Sequence, residues 1–154
     1  MVPNEMDNFE LNPPGSWAKK YFLASRALME AVLGPYDLGN TQWYVLYRLS
    51  GQESVGQRDL TRELEVERAT LSAVIAALVR KGLIEQAPDP ADRRQKLLHI
   101  TTAGRNLWKS LPDPMALITE IAFAGVDPAD LATMDRVLSG ATQRLTDYKR
   151  ETRS

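Results

Sequence analysis

The stretch that decides the fold is residues 57–100, QRDLTRELEVERATLSAVIAALVRKGLIEQAPDPADRRQKLLHI. We predict a short helix over roughly residues 57–64 and a second helix that begins near Glu67 or Arg68. Apolar residues of the second helix follow the i, i+3, i+4, i+7, i+8 spacing of one buried face. They are Leu71, Val74, Ile75, Leu78 and Val79.

A β-hairpin is predicted directly after the second helix. Gly82 stands where helices commonly end in a left-handed residue, and Leu83-Ile84 then begins a strand. Residues 88–92, PDPAD, have the composition of a turn, and residues 97–100 form the returning strand. The predicted order is therefore helix, tight turn, helix, strand, loop, strand.

The polar side of the second helix has the composition expected of a helix that enters the major groove of duplex DNA. Small and hydrogen-bonding side chains allow close approach to base edges, and an arginine near the start can reach a guanine or a phosphate. Free N–H groups in the first turns of both helices favour phosphates. The alternative is an ordinary surface helix. The residues concerned are Arg68, Ala69, Thr70, Ser72, Ala73 and Ala76.

The loop of the hairpin is basic. Arg93, Arg94 and Lys96 lie at its tip, where arginine can enter a narrow minor groove. Asp92 is expected to orient one of these guanidinium groups through a bidentate pair. The alternative is a solvated turn with incidental charges.

Residues 57–104 resemble the DNA-binding core of MarR-family regulators. The matching motifs are Gln57-Arg58-Asp59-Leu60, Lys81-Gly82-Leu83-Ile84, Asp89-Pro90-Ala91-Asp92-Arg93-Arg94 and Ile100-Thr101-Thr102-Ala103-Gly104. The resemblance implies a mainly α fold with a small β-hairpin wing, that is, a winged helix-turn-helix core plus a helical dimerisation region. It implies a sequence-specific regulator of transcription, commonly a repressor, that contacts DNA through Gln57 and the residues named above. Arg94 matches the wing arginine and Asp92 its orienting partner.

Three positions depart from the family pattern. Glu65 replaces the usual turn glycine, Glu67 stands where a better N-cap is common, and Ala73 stands where many relatives carry arginine. The two glutamates should repel phosphate, so we expect moderate nonspecific affinity.

Four segments are predicted along the chain. Residues 1–15 form a poorly ordered arm. Residues 16–52 form helices that pack on the dimerisation region. Ser16 is the expected N-cap of the first of these helices, and Asn40 or Thr41 is the expected N-cap of the second. Residues 53–101 form the DNA-binding domain. Residues 102–154 form the C-terminal dimerisation helices, and the last of these begins at Asp127-Pro128.

The last helix carries an apolar stripe suited to pairing with a second copy of the chain. Its spacings of 3 and 4 residues are those of a coiled-coil a/d pattern. The alternative is packing on its own chain. A twofold dimer would read a near-palindrome with half-sites about 10 bp apart. The stripe consists of Leu131, Met134, Leu138, Ala141, Leu145 and Tyr148.

A candidate ligand pocket follows from the resemblance, since many relatives bind small aromatic or phenolic acids near the dimerisation helices. Arg26 and Arg48 are candidate partners for a carboxylate. The alternative is that the aromatic residues are core. The candidate pocket residues are Trp17, Tyr21, Arg26, Trp43, Tyr47 and Trp108.

Composition bounds the remaining classes. Net charge is −1, but residues 54–105 carry nine basic against seven acidic side chains, so the basic excess lies in the middle of the chain. The sequence has no cysteine and one histidine, His99, which argues against metal sites, thiol redox switches and disulfides. No apolar run approaches the ~20 residues of a membrane span, and no signal core is present, so we expect a cytoplasmic protein without membrane contact.

An enzyme is not expected, because the sequence offers no nucleophile–base pair, phosphate loop or metal cluster, and no cofactor is predicted. His99 is interpreted as structural or as a peripheral phosphate contact. The remaining alternative is a winged-helix module for protein–protein contact, which would not need the wing arginines.

Overall fold

Seven α-helices, a short 3-10 helix (Gly34–Tyr36) and a small sheet make up the described part of the chain, residues 13–152 of a computed structural model. The helices are α1 (Pro13–Leu33), α2 (Asn40–Ser50), α3 (Gln57–Glu63), α4 (Arg68–Arg80), α5 (Thr102–Ser110), α6 (Pro114–Ala122) and α7 (Pro128–Glu151). The strands are β1 (Val55–Gly56), β2 (Ile84–Pro88) and β3 (Lys96–Ile100). The mainly α fold with a small β-hairpin is confirmed.

The sheet is antiparallel, with strand order β1-β3-β2. Strands β2 and β3 form the predicted hairpin, from the pair Ile84–Ile100 to the pair Pro88–Lys96. Strand β1, which sequence reasoning missed, pairs Val55 with Leu98. A two-residue strand has no alternation pattern to detect, so only the partner strand reveals it.

Within the described residues, the chain divides into two compact units, residues 13–118 and residues 119–152. In the first unit the core is built from one face of each helix and from the inner residues of the sheet, and its fully buried side chains include Leu46, Leu60, Leu71 and Leu98. The second unit contains α7, a 24-residue helix capped by Asp127, whose carboxylate accepts the N–H of Ala129 at 2.8 Å. The predicted functional boundary at residue 102 stays a prediction.

Helix α1 begins earlier than predicted. Pro13 and Pro14 are its first residues, so Ser16 is not the N-cap and the predicted arm loses residues 13–15. Proline is tolerated here because the first turn of a helix has no intrahelical partner for its N–H groups. The rest of the predicted arm, residues 1–12, lies outside the described residues.

Two further details of the helices differ from the predictions. Helix α2 is capped by Gly39, whose N–H donates to the Gln42 side chain at 3.2 Å, and not by Asn40 or Thr41. In α4, Val79 is 40% exposed although Leu71, Ile75 and Leu78 are buried. Val79 lies at the edge of the stripe, where the helix has turned away from the core.

Within the described residues, none of the helices is long and apolar enough to cross a membrane. Residues 13–152 also contain no group of three or more His, Cys, Asp or Glu side chains placed to hold a metal ion.

Candidate nucleic-acid interface

Helix α4 has one side buried and the opposite side free. Its buried residues are Leu71, Ile75 and Leu78, which pack in the core of the first unit. The exposed side, which we call the reading face, consists of Arg68, Ala69, Thr70, Ser72, Ala73 and Ala76. These are the residues that the sequence assigned to it. Their contact with DNA stays a prediction.

The start of α4 leaves backbone N–H groups without a side-chain cap. Glu67 occupies the N-cap position with extended backbone angles, and its carboxylate makes no capping hydrogen bond. Uncapped N–H groups at a helix N-terminus favour an anion such as phosphate. The preceding turn contains Glu65 at φ 51°, in the left-handed region where the related proteins were expected to use glycine.

The first turn of α3 lies against both α4 and the hairpin. The Gln57 side chain accepts a hydrogen bond from Gln86 Nε2 at 2.8 Å and donates a longer one to Ser72 Oγ at 3.4 Å. Gln86 belongs to β2 and Ser72 to the reading face. Two of the predicted DNA-contacting residues, Gln57 and Ser72, are therefore also partners of each other.

The wing loop, residues 89–95, is closed by its own backbone and by two aspartates. Asp89 N–H donates to the Gln95 carbonyl at 3.1 Å, and Asp89 Oδ1 accepts the N–H of Ala91 at 2.8 Å. Asp92 Oδ1 accepts the N–H of Arg94 at 2.9 Å, which is an Asx turn. This geometry leaves the side chains of Arg93 and Arg94 exposed at the tip. Lys96, the first residue of β3, is exposed as well.

Asp92 does not orient a wing arginine in the way the sequence predicted. Its second oxygen, Oδ2, lies 3.4 Å from Arg58 Nη1 in α3, and this contact is single, not bidentate. The sequence prediction was wrong because Arg93 and Arg94 are close in sequence, whereas Arg58 approaches only when α3 folds beside the wing. Asp92 influences Arg94 through the backbone N–H alone. Arg58 was not among the predicted site residues.

His99 lies on β3 with Nδ1 3.2 Å from the carbonyl oxygen of Glu53. The ring is half-buried and ties the segment before β1 to the sheet. This contact agrees with the structural interpretation of His99.

The glycine of the last motif allows α5 to pack closely on the base of the wing. A Cβ at Gly104 would lie 2.1 Å from the Leu83 carbonyl oxygen. Thr101 caps α5 by accepting the Gly104 N–H at 3.0 Å, and its hydroxyl donates to the Gly82 carbonyl at 2.6 Å. The motif therefore joins the end of α4, the hairpin and α5.

Most of the candidate pocket residues line one of two neighbouring cavities in the first unit. The first, about 500 Å³, is lined by Tyr21 and Arg26 together with Tyr44, Glu63 and Met115. The second, about 570 Å³, is lined by Trp43, Tyr47 and Trp108, and also by Tyr44, Met115 and Asp113. Trp17 lines neither cavity and is 64% exposed.

The wall of the second cavity is an aromatic cluster. The Trp43 and Tyr47 rings stack with centroids 5.5 Å apart, and the Trp108 ring centroid lies 5.5 Å from that of Trp43. Trp43 is buried, and its indole N–H has no acceptor among the described residues. The cluster is thus core on one side and cavity wall on the other.

Only one of the two candidate arginines for a carboxylate is placed at a cavity. Arg48 pairs with Glu63 through two contacts, Nε to Oε2 at 2.5 Å and Nη2 to Oε1 at 2.9 Å. This hydrogen bonding raises the pKa of Arg48 above its ordinary value. Glu63 already supplies Arg48 with a carboxylate partner, and Arg48 lines neither cavity, so its pairing with a ligand stays a prediction. Arg26 lines the first cavity and also pairs with Glu30 at 3.2 Å.

Comparison with known proteins agrees with this geometry. A sequence model of the MarR family matches residues 36–95. The transcriptional activatory protein BadR of Rhodopseudomonas palustris is 39% identical over 82 residues, which are 50% of this chain and 46% of BadR. An uncharacterised HTH-type transcriptional regulator of Bacillus subtilis, YdcH, is 31% identical over 107 residues, 66% of this chain and 67% of YdcH.

A solved structure extends the likeness to most of the chain. It is that of Bordetella bronchiseptica BpsR, described as regulated in its DNA binding by 6-hydroxynicotinic acid, with a TM-score of 0.72 and 26% identity. The match covers 83% of this chain and 97% of the BpsR chain. Family model, curated relatives and fold agree, and the chain belongs to the MarR family of winged helix-turn-helix transcription regulators.

Proposed function

We propose that the chain is a sequence-specific reader of duplex DNA, which acts as a homodimer on a pseudo-palindromic operator. The observation that carries this proposal is the reading face of α4, which is small and polar. It is backed by a buried apolar side and followed by a hairpin whose tip exposes Arg93 and Arg94. A helix of this kind fits the major groove, and the hairpin tip can then reach the adjacent minor groove.

Each part of this surface has a chemical role in the proposal. Arg68, Thr70 and Ser72 offer donors to base edges and phosphates, and Ala69 and Ala73 allow the helix to approach closely. Arg94 enters the minor groove while Arg93 and Lys96 contact phosphates. Gln57 stands beside Ser72 at the same edge of the surface.

The dimer is supported by the apolar stripe of α7. The stripe repeats at a/d spacing, and no residue of α7 is buried. Leu145 is 73% and Tyr148 69% exposed. Pairing with a second copy removes this surface from water and gives two reading faces related by twofold symmetry.

The first experiment is selection of bound sequences from a random duplex pool, followed by affinity measurements at several salt concentrations. We expect a near-palindrome with half-sites about one helical turn apart, and affinity that falls steeply as salt rises. Enrichment of no sequence would refute DNA reading and favour a protein-contact module.

Two arginine variants sharpen this experiment. Arg94→Ala should lower operator affinity by about 1–3 kcal/mol. Arg80→Ala is the matched control, because it removes the same charge in the last turn of α4, about 18 Å along the helix from Arg68. Equal losses in the two variants would argue for a general charge effect instead of readout.

The dimer is tested by Leu138→Arg, which places a charge in the stripe. We expect a monomer by light scattering and loss of operator binding. Thr133→Arg is the control, since this exposed position lies five residues away, about 140° around the helix. A dimer that survives Leu138→Arg would show that the stripe is not the pairing surface.

We propose repression as the mode of regulation. Occupying an operator is sufficient for it, whereas activation needs a further contact with the transcription machinery. BadR, described as an activator, shows that relatives also act in the other sense. A reporter gene placed behind the selected operator should fall in expression when the chain is supplied, and a rise would overturn this part of the proposal.

The proposed effector is a small aromatic or phenolic acid bound in the first cavity. Its lining combines Tyr21, Phe22 and Tyr44 with the guanidinium of Arg26. BpsR, described as regulated by an aromatic acid, supports this class of ligand. Titration of hydroxynicotinic and hydroxybenzoic acids into the complex should release DNA, and Arg26→Met should weaken that release. If Arg26→Met leaves the response unchanged, the carboxylate does not bind there.

A further inference from the structure

The first turn of α3 is joined by side chains to both parts of the proposed DNA-reading surface. Gln57 connects Gln86 of the wing to Ser72 of the reading face, across 29 and 15 residues of sequence. Arg58 connects to Asp92 in the wing loop, across 34 residues. No other element of the described chain makes a hydrogen bond between its side chains and those of both the wing and the reading face.

We propose that Arg58 and Gln57 are positioning residues, which fix the wing relative to the reading face and so set the specificity of DNA readout. The proposal rests on the DNA-reading function proposed above. In this proposal Arg58, an exposed cation on the edge of the motif, pairs with Asp92 instead of contacting a DNA phosphate.

The wing loop depends on such contacts because its backbone is anchored only at the base. Strand β1 pairs with β3 at Leu97 and Leu98, and this pairing stops before Lys96. Beyond that point the hairpin has only its own two strands, and an isolated two-stranded hairpin is marginally stable. Side chains of α3 therefore restrict the sideways movement of the tip that carries Arg94.

The sign of the effect at Asp92 separates positioning from simple electrostatics. If Asp92 and Arg58 acted only as charges near a polyanion, removing the aspartate charge would tighten DNA binding and removing the arginine charge would weaken it. If they position the wing, both changes weaken binding to the operator in particular. For loss of the Asp92 charge, simple electrostatics therefore predicts tighter binding to the operator, and positioning predicts weaker binding.

Asp92→Asn is the informative variant because asparagine keeps an oxygen at the Oδ1 position. That oxygen accepts the N–H of Arg94, so the Asx turn is retained. The charge that pairs with Arg58 is lost. Arg58→Met removes the guanidinium while keeping an unbranched side chain of good helix propensity.

The experiment measures affinity for the selected operator and for a scrambled duplex, with the full chain and with both single variants and the double variant. Each single variant should lower the ratio of operator to scrambled affinity about two- to fivefold, the range expected for an exposed ion pair. The double variant should lose no more than either single variant, because both remove the same contact. Tighter binding by Asp92→Asn to both duplexes, or additive losses in the double variant, would overturn the proposal.

Gln86→Met tests the second contact without altering a predicted DNA-contacting residue. If Gln57 reads DNA unaided, loss of its partner in β2 leaves the affinity ratio unchanged, and this result would overturn the role given to Gln57. Positioning predicts a lower ratio with unchanged thermal stability.

Arg94→Ala distinguishes failure of this inference from failure of the proposed function. When Arg94→Ala lowers operator affinity and Asp92→Asn does not, only the positioning role is wrong. When neither Arg94→Ala nor the reading-face variant Arg68→Ala changes binding, DNA reading itself is wrong and the positioning role falls with it.

Discussion

Replacing Gly104 by alanine tests how α5 is joined to the wing. Gly104 is buried in the first turn of α5, and a Cβ there would lie 2.1 Å from the Leu83 carbonyl oxygen and 2.7 Å from Ile100 Cγ1. Carbon and oxygen atoms need more than 3 Å, so the backbone must move by about 1 Å. The Leu83 carbonyl also accepts the N–H of Thr101 at 3.0 Å, and this bond is lost or lengthened as the two segments separate.

The expected loss of stability is about 2 kcal/mol. Overpacking that moves backbone costs about 1–3 kcal/mol, and a weakened buried hydrogen bond adds about 1 kcal/mol. The better helix propensity of alanine offsets about 1 kcal/mol. For a chain of this size the melting temperature should fall by about 4–8 °C.

Thermal and urea unfolding at equal protein concentration measure this change, since the stability of the proposed dimer would depend on concentration. Ala103→Gly is the control, because Ala103 is exposed in the same turn and reports propensity alone. If Gly104→Ala raised the melting temperature, propensity would outweigh the contact, and the close packing of α5 on Leu83 would be refuted.

Three further predictions follow from local geometry. Glu65→Gly should stabilise the chain by about 1 kcal/mol, because residue 65 has φ 51° and glycine adopts this conformation without strain. Glu65→Ala keeps the strain and should not stabilise the chain; equal stabilisation by both variants in calorimetry would show that loss of the negative charge is the cause. Arg48→Met and Glu63→Gln should each lower the free energy of unfolding in urea by about 1 kcal/mol or less, because the ion pair is partly exposed. Calorimetry should show that Arg48→Met binds an aromatic acid as tightly as the unaltered chain does; weaker binding would show that Arg48 is a ligand partner. Thr101→Val should lower the free energy of unfolding, measured by thermal unfolding, by about 1–2 kcal/mol, because α5 loses its N-cap. Thr101→Ser keeps the hydroxyl and should lower it much less; similar losses in the two variants would show that the methyl group matters more than the cap.

The order of elements in the winged core could be predicted from sequence because each signal is local. Helical spacing of apolar residues marks α4, Gly82 at φ 70° marks its end, and Asp127-Pro128 marks the start of α7. These features act within one or two turns of chain, so a single sequence contains them in full. The tip of the wing was predictable for the same reason, since its turn is closed by Asp89 and Asp92.

The partners of charged side chains could not be predicted, because they depend on how separate elements pack. Arg58 lies 34 residues from Asp92, and Arg48 lies 15 residues from Glu63. Nothing in either local sequence indicates the other. The sequence instead favoured neighbours, Arg93 and Arg94 for Asp92 and a ligand for Arg48. The error at Asp92 arose from assigning the counter-charge that is nearest in sequence.

The apolar residues of α1 differ in how far they are buried. Trp17 and Tyr21 are 64% and 45% exposed, while Met29 and Leu33 are buried. A regular stripe predicts which side of a helix is apolar, but it does not say how far along the helix the chain's own core extends. Large aromatic residues left in water are typical of a surface that contacts something else.

The balance of charge on the winged core makes position more important than total charge. Nine basic and seven acidic side chains in residues 54–105 give only weak general attraction to phosphate, and Glu65 and Glu67 stand beside the reading face. A protein with weak nonspecific binding discriminates better between its operator and other DNA when its few arginines are held in fixed positions. They then fit only DNA whose grooves have the matching shape. Under the DNA-reading function proposed above, an acidic residue at the tip of the wing, such as Asp92, is costly unless its charge is used. The contacts of Asp92 with Arg58 and with the backbone N–H of Arg94 provide that use, and they would make an aspartate compatible with a wing that approaches a polyanion.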